Sequence, residues 1–200
     1  MSAVARYSSP VGLDHGARSH SGRFNLRREN RITNGGIETN TTGWFVSGTN
    51  TRVRSTEQAH SGAASLKITY NDAYTPMGYH SVTITDALHA FSYWVHVPTA
   101  WDGGQIKIRH LTTGGFIGSV FTDEQYADMA LRDQWQRISC VVDPDAASLS
   151  GRLDICAASA PTVGRFIYVD DAQVEPGAYP TPYIHTDGAT KTRVATRHGA

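Results

Sequence analysis

The run His89-Ala90-Phe91-Ser92-Tyr93-Trp94-Val95-His96-Val97 carries the clearest structural signal in this chain of 200 residues. Its apolar positions alternate with more polar ones, which is the period-two pattern of a β-strand with one buried face. The apolar face consists of Phe91, Tyr93, Val95 and Val97. The opposite face carries Ser92, Trp94 and His96. The run therefore predicts a strand that packs one side on a core and presents a tryptophan and a histidine outward.

Similar short runs fill the chain from about residue 34 to 176, separated by Gly, Asp, Thr and Pro. The clearest lie at 64–70, 81–85, 105–111, 116–121, 135–142, 152–157 and 165–175. Strands of this length and number predict an all-β fold, an antiparallel jelly-roll β-sandwich of about eight strands. One or two helical turns are predicted at 123–131, where Thr122 and Gln125 have the spacing of a capping box.

The two ends of the chain differ from this central part. Residues 1–33 lack hydrophobic periodicity and carry a net charge of +4, residues 34–176 carry −6, and residues 177–200 carry +2. We therefore predict an extended basic N-terminal arm at 1–33, a jelly roll at 34–176 and an extended C-terminal tail at 177–200.

Ordering such an arm costs roughly 1–2 kcal/mol of backbone entropy per residue, so we expect it to be ordered against a partner surface, in an oligomer or on neighbouring proteins. A merely solvated tail is the alternative. The candidate subunit contacts are Arg23, Phe24, Leu26, Arg27 and Arg28 in the arm and Tyr179, Tyr183 and Ile184 in the tail. The tail could instead fold back along its own jelly roll. Deleting residues 1–33 is expected to leave a folded domain that no longer assembles.

Composition argues against several classes of protein. No apolar stretch approaches the ~20 residues of a membrane-spanning helix, and the first twenty residues lack the apolar region of a secretory signal. Two cysteines are too few for a disulfide framework or a four-cysteine zinc site. Because Cys140 and Cys156 lie in apolar strands, we predict buried free thiols. A formal net charge of zero argues against general nucleic-acid binding.

No recognisable catalytic motif is present. The nine histidines are scattered without metal-ligand spacing, and no Gly-x-Ser-x-Gly or phosphate-binding loop occurs. The neighbouring carboxylates Asp170 and Asp171 lie on a predicted strand, where adjacent side chains point to opposite faces. We predict that the protein is not an enzyme. A glycosidase that assembles its carboxylates from distant strands is the alternative.

Three segments together resemble the jelly-roll carbohydrate-binding modules found beside glycoside hydrolases. They are Asn34-Gly35-Gly36-Ile37-Glu38 with Thr42-Gly43-Trp44, His60-Ser61-Gly62-Ala63-Ala64-Ser65-Leu66-Lys67-Ile68, and Phe166-Ile167-Tyr168-Val169-Asp170-Asp171-Ala172-Gln173-Val174. In that family Phe stands at the position of Ile37 and Val at the position of Ala172. The resemblance implies the fold far better than the ligand.

A fourth segment, Glu175-Pro176-Gly177 followed by Thr181-Pro182-Tyr183-Ile184-His185-Thr186-Asp187-Gly188, resembles the segment after such jelly rolls in bacteriophage tail and other virion proteins. This resemblance implies a structural component of a tailed bacteriophage virion, a minor tail protein or a capsid decoration protein. It would be made in the host cytoplasm, bind other virion proteins and copies of itself, and contribute to adhesion to the host surface. The alternative is a carbohydrate-binding module that recognises cell-surface or cell-wall glycans.

The family resemblance also implies a structural calcium ion, since the opening Glu and the Asp-Asp pair help to hold one in such modules. The corresponding residues are Glu38, Asp170 and Asp171. The alternative is that these carboxylates bond backbone amides or basic side chains at the rim of the domain.

A carbohydrate-binding face is predicted from outward residues on two strands. Trp94 and His96 would supply an aromatic plane, and Lys107 and Arg109 would donate to hydroxyls. The alternative is that an arm, a loop or a neighbouring subunit covers Trp94. Three other tryptophans, Trp44, Trp101 and Trp135, are predicted to close the ends of the sandwich, and the loop that contains Tyr74 and Tyr79 is a candidate binding lip or interface.

Overall fold

The computed structural model describes residues 28–85, 87–112, 120–122, 125–143 and 149–193, and within them the chain forms twelve β-strands. The strands are β1 (Arg28–Asn30), β2 (Trp44–Val46), β3 (Thr51–Ser55), β4 (Ser65–Thr69), β5 (Gly78–Ile84), β6 (His89–His96), β7 (Ile106–Thr112), β8 (Val120–Thr122), β9 (Trp135–Asp143), β10 (Leu149–Ala157), β11 (Phe166–Pro176) and β12 (Lys191–Arg193).

The strands build an antiparallel sandwich of two main sheets. The smaller sheet has the order β2-β5-β10-β7 and the larger one β3-β4-β11-β6-β9-β8, while β1 and β12 pair separately. All the strand pairs are antiparallel. The predicted all-β jelly-roll sandwich is confirmed.

The core lies between the two main sheets. From the larger sheet, Phe91, Tyr93 and Val95 of β6 are fully buried, and Ile106 and Ile108 of β7 are fully buried on the smaller sheet. The hydroxyl of Tyr93 crosses the core and donates to the carbonyl oxygen of Lys107 at 3.0 Å. The even-numbered residues of β6 and the odd-numbered residues of β7 therefore point away from the core, on opposite outer faces.

Two of the three tryptophans predicted to close the ends of the sandwich are buried. Trp44 donates its indole N–H to the carbonyl oxygen of Asn34 at 2.8 Å, and Trp101 donates to that of Gly104 at 2.8 Å. Trp135 is only half-buried and lies beside His96 on the outer face of the larger sheet, with ring centroids 5.5 Å apart.

The prediction of buried cysteines outside any disulfide is confirmed, because Cys140 and Cys156 are both buried and form no disulfide bond with each other. Burial raises the pKa of the Cys156 thiol to about 11. The predicted helix at 123–131 is wrong where the structure describes it. Residues 125–131 contain turns and an isolated bridge from Tyr126 to Lys107. No helix in the described part of the chain is long and apolar enough to cross a membrane.

The described part of the N-terminal arm, residues 28–33, packs against the domain. β1 pairs with β12, and both Asn30 and Ile32 are fully buried. The packed region therefore begins before residue 34. Arg28 contacts Glu175, the Pro176 carbonyl oxygen and the Tyr179 ring of its own chain. The candidate contacts Arg23, Phe24, Leu26 and Arg27 lie outside the described residues.

The C-terminal tail runs back along the outer face of the larger sheet. Thr181 donates both its N–H and its hydroxyl to the Glu175 carboxylate, and the N–H of Ile184 donates to the Gln173 side chain at 2.7 Å. Ile184 is buried within its own chain, which matches the alternative in which the tail folds back along its own jelly roll. Tyr183 is half-buried, whereas Tyr179 is 61% exposed.

Candidate functional site

The four residues of the predicted carbohydrate-binding face lie on two different sheets. Trp94 and His96 belong to β6 in the larger sheet, and Lys107 and Arg109 belong to β7 in the smaller sheet. Because both pairs point away from the core, they lie on opposite sides of the sandwich. The prediction that they form one face is therefore wrong.

Trp94 is covered on its own face. The His60 ring stacks on it with centroids 3.7 Å apart and an angle of 15° between the planes. His96 is almost completely buried, between Trp135 and Tyr168. The loop that carries His60 thus occupies the plane that a sugar ring would need. This matches the alternative in which a loop covers Trp94.

Lys107 and Arg109 belong to a different group of outward side chains, on the smaller sheet. The strand register aligns one residue from each of its four strands in a row, in the order Phe45, Tyr79, Asp154 and Arg109. Directly opposed residues of antiparallel strands share a face and have Cβ atoms about 4.5–5.5 Å apart. The row therefore places two aromatic rings beside an acid and a base.

The aromatic half of this row combines an exposed ring, Phe45, with a half-buried ring, Tyr79. The rings of Phe45 and Tyr79 stack with centroids 5.4 Å apart and an interplanar angle of 20°, and Phe45 is 45% exposed. The Arg152 guanidinium lies 4.2 Å from the Tyr79 ring centroid. An exposed aromatic ring such as that of Phe45 is the kind of surface on which a sugar ring can lie. We call this surface the aromatic platform.

The charged half of the row is built on a buried carboxylate. Asp154 is fully buried and accepts from Arg109 at 3.0 Å and from Arg152 at 3.1 Å. Burial raises the pKa of Asp154, and the two guanidinium groups oppose that rise. Arg109 also donates to the Thr75 hydroxyl at 3.2 Å, which fixes its guanidinium beside the platform. The arginines are thus held in place before any ligand arrives.

An open groove of about 570 Å³ lies farther along the same strands. Six of its ten lining residues carry a hydroxyl group, and they are Thr33, Ser81, Thr83, Thr85, Ser150 and Thr190. Arg31 and Glu29 form one wall, and Arg31 donates to the Thr83 carbonyl oxygen at 2.9 Å. Since Tyr79, Ser81 and Thr83 alternate outward on β5, the platform and the groove share one face. Hydroxyls and fixed charges beside aromatic rings suit a polyhydroxylated ligand.

The carboxylates predicted to bind calcium accept hydrogen bonds from the loop that carries His60. Glu38 accepts from the N–H of Ala63 at 3.0 Å, and Asp170 accepts from the N–H groups of His60 and Ser61 at 2.8 and 3.1 Å. Asp171 Oδ1 accepts from the Ser61 hydroxyl at 2.6 Å, and Asp171 Oδ2 lies 2.6 Å from His60 Nδ1. Among the described residues, no group of three or more His, Cys, Asp or Glu is placed to hold a metal ion.

These hydrogen bonds match the alternative given for Glu38 and Asp170. The structural calcium ion stays a prediction from the resemblance. Thermal unfolding in excess calcium and in excess chelator tests it. Melting temperatures that agree within about 1 °C would contradict the predicted calcium ion. A bound calcium ion stabilises the native state by mass action and would raise the melting temperature in calcium well beyond that difference.

Phe45, Arg152 and Asp154 are the candidate site residues that the sequence did not assign to a site, whereas Tyr79 was assigned to a candidate binding lip or interface. Tyr79 was predicted to lie in a loop but belongs to β5, and the three-residue strand β2 that carries Phe45 is too short for a periodic signal. The alternation at 152–157 could have identified Arg152 and Asp154 as outward residues, since Leu153 and Ile155 are inward.

The comparisons with known proteins concern the fold. No protein-family model and no curated protein matches the sequence. Among solved structures, the C-terminal family 22 carbohydrate-binding module of Clostridium thermocellum Xyn10B is similar, with a TM-score of 0.56 and 13% identity over 74% of this chain and 93% of that chain. The CBM22-2 xylan-binding domain of Paenibacillus barcinonensis Xyn10C gives a TM-score of 0.51 and 16% identity over 74% of this chain and 98% of that chain.

A third similar structure is that of the CBM22-1 and GH10 modules of Clostridium thermocellum xylanase 10B, complexed with xylohexaose. It gives a TM-score of 0.53 and 13% identity over 74% of this chain and 28% of that chain. At these identities the likeness shows the fold alone, which is the β-sandwich of carbohydrate-binding modules.

Proposed function

We propose that the outer face of the smaller sheet binds carbohydrate and that the protein acts as a non-catalytic carbohydrate-binding module. The observation that carries this proposal is the row in which the exposed Phe45 and the half-buried Tyr79 lie beside the fixed Asp154–Arg109 ion pair. An aromatic plane for the sugar ring and preorganised groups for its hydroxyls are the two requirements of such a site.

Two further observations support a binding role rather than a catalytic one. Among the described outward residues of these four strands, Asp154 is the single carboxylate, and two arginines already engage it. Glycoside hydrolysis ordinarily requires a pair of carboxylates on either side of the bond. The similar structures named above contain carbohydrate-binding modules, and two of them consist of such a module.

The test compares the full chain with Tyr79→Ala and Phe45→Ala on a microarray of neutral and acidic polysaccharides that includes xylan, followed by calorimetry. We expect each substitution to weaken binding at least about tenfold, equivalent to ~1.4 kcal/mol, because half of the stacking surface is lost. Failure of the unmodified chain to bind any polysaccharide would contradict the proposal.

Trp94→Ala is the matched control, because it removes an aromatic ring from the opposite face. We expect this variant to keep its affinity, since His60 already covers Trp94. If Trp94→Ala lost binding and Tyr79→Ala kept it, the binding site would lie on the outer face of the larger sheet, around Trp94.

The virion role stays a prediction from the resemblance of residues 175–188. The same holds for a virion location and for contacts with other virion proteins and with further copies of this chain. In such a particle, a carbohydrate-binding face would contribute to adhesion to the host surface. Imaging of the particle with a label on this chain tests the prediction and would separate a tail position from a capsid position.

A further inference from the structure

The aromatic rings of the binding face each lie near a basic side chain. Arg152 lies over Tyr79 at 4.2 Å, Arg52 lies 5.9 Å from the Phe45 ring centroid, and Lys107 lies 5.9 Å from that of Tyr126. Tyr126 is 44% exposed and reaches this face through its bridge with Lys107. A neutral polysaccharide does not require a cation at each aromatic ring.

The charges of this face do not balance. The described cations along the platform and the groove are Arg31, Lys107, Arg109 and Arg152, and the described carboxylates are Glu29 and Asp154. Arg52 adds a further cation, which approaches the Phe45 ring from β3 at the edge of the larger sheet. Asp154 is fully buried, whereas the side chains of Arg109 and Arg152 are 19% and 22% exposed. The carboxylate therefore lies beneath the guanidinium groups, and the surface that a ligand meets is positive.

The positive charge of this face contrasts with the net charge of the domain, which is −6 over residues 34–176. Arginine also offers a planar set of donors that matches a carboxylate. Here the buried Asp154 fixes Arg109 and Arg152 beside the platform, so that the guanidinium groups are already oriented before a ligand binds.

We propose that the ligand is an acidic polysaccharide whose sugars carry carboxylate groups, that is, a chain containing uronic acid residues. This inference rests on the proposed carbohydrate-binding function and specifies its ligand class. The aromatic platform stacks against the sugar rings, while the positive rim formed by Arg52, Lys107, Arg109 and Arg152 attracts the carboxylates. Hydroxyls of the neighbouring groove extend the contact along the chain of sugars.

The experiment compares two polymers that differ only in charge. Calorimetry measures binding of the full chain to polygalacturonate and to the same polymer after reduction of its carboxyl groups to neutral galactosyl units. We expect at least tenfold tighter binding to the native polymer at low salt, and a smaller difference as salt screens the charges. Lys107→Gln and Arg152→Gln should each reduce the difference at least threefold.

Lys67→Gln is the matched control, because Lys67 lies on the larger sheet, over Phe166 and paired with Glu57. This variant should leave the preference unchanged. Lys107 is only half-buried, so we expect Lys107→Gln to fold. This variant therefore tests the inference even if Arg152→Gln does not fold.

Four outcomes would overturn the inference. Equal binding to both polymers would leave the carbohydrate-binding function standing and remove the preference for uronic acids. Binding to dextran sulfate as tight as to polygalacturonate would reveal general attraction to polyanions. Binding to neutral polysaccharides of the microarray but to neither of the two polymers would also remove the preference for uronic acids and leave the carbohydrate-binding function standing. Absence of binding to every polysaccharide would remove the proposed function as well.

Discussion

Asn30→Ala should lower the free energy of unfolding by about 3 kcal/mol, because this fully buried side chain satisfies four backbone groups. Its oxygen accepts from the N–H groups of Ile32 at 3.0 Å and Val174 at 3.2 Å. Its nitrogen donates to the carbonyl oxygens of Ala172 at 3.1 Å and Ile184 at 3.0 Å. Each buried group that loses its partner costs about 1–3 kcal/mol, and partial relaxation recovers some of that cost.

Denaturant unfolding of the full chain measures this loss. Asn71→Ala is the control, because its side chain makes one exposed hydrogen bond, from Nδ2 to the Thr49 carbonyl oxygen at 2.6 Å. We expect that variant to lose less than about 1 kcal/mol. Similar losses in the two variants would contradict the structural role given to Asn30.

The same contacts correct the expectation that residues 1–33 can be deleted without harm to the domain. Deletion of residues 1–33 removes Asn30 and the fully buried Ile32, whereas deletion of residues 1–27 keeps both. We therefore expect the longer deletion to be the less stable by several kcal/mol, since it combines lost hydrogen bonds with a cavity in the core. Equal stability of the two truncated chains would restore the boundary predicted from the sequence.

Asn30 also shows why the sequence could not predict this boundary. Residues 28–33 are polar and lack period-two alternation, so they look like an unstructured arm. They are held in place by hydrogen bonds to β11 and the tail, 142 to 154 residues away in the sequence. Such long-range partners leave no local signal.

The core was predictable for the opposite reason. Alternation in β6, β7 and β10 is local, and it correctly separates Phe91 and Tyr93 from Ser92 and Trp94. The two faces of each strand therefore follow from the sequence alone.

The membership of each strand in a sheet does not follow from that pattern. β6 pairs with β9 and β11, whereas β7 pairs with β10, and nothing in the alternation distinguishes these choices. The prediction consequently placed Trp94 beside Lys107, although the two residues lie on opposite sides of the sandwich. Of the four residues in the predicted site, Lys107 and Arg109 lie on the smaller sheet and therefore on the proposed binding face.

Acid should destabilise the domain between pH 6.5 and 4, through two core histidines. Burial lowers the pKa of both His80 and His110 from 6.5 to about 4. In this window the unfolded chain binds two protons that the native state does not bind, so stability falls as the pH falls. Each such proton contributes about 1.4 kcal/mol per pH unit. Burial also lowers the pKa values of His89 and His96, which adds to the effect.

Asp170 acts in the opposite direction over the same window. Burial and the neighbouring Asp171 raise its pKa from 3.8 to about 7. The native state therefore keeps a proton that the unfolded chain has released, and this contribution to stability is lost as the pH rises toward 7. The two histidines outnumber this single carboxyl, so the net result is loss of stability in acid.

Two substitutions should change the pH dependence in opposite directions. His110→Gln removes one of the histidines and should lower the proton uptake on unfolding near pH 5 by about one, whereas Asp170→Asn should raise it by about one. The measurement is the slope of unfolding free energy against pH, obtained from denaturant curves at half-unit intervals. General destabilisation shifts such a plot without changing its slope. Parallel plots for the two variants would therefore contradict the assignment of these protons, whatever the stability of either protein.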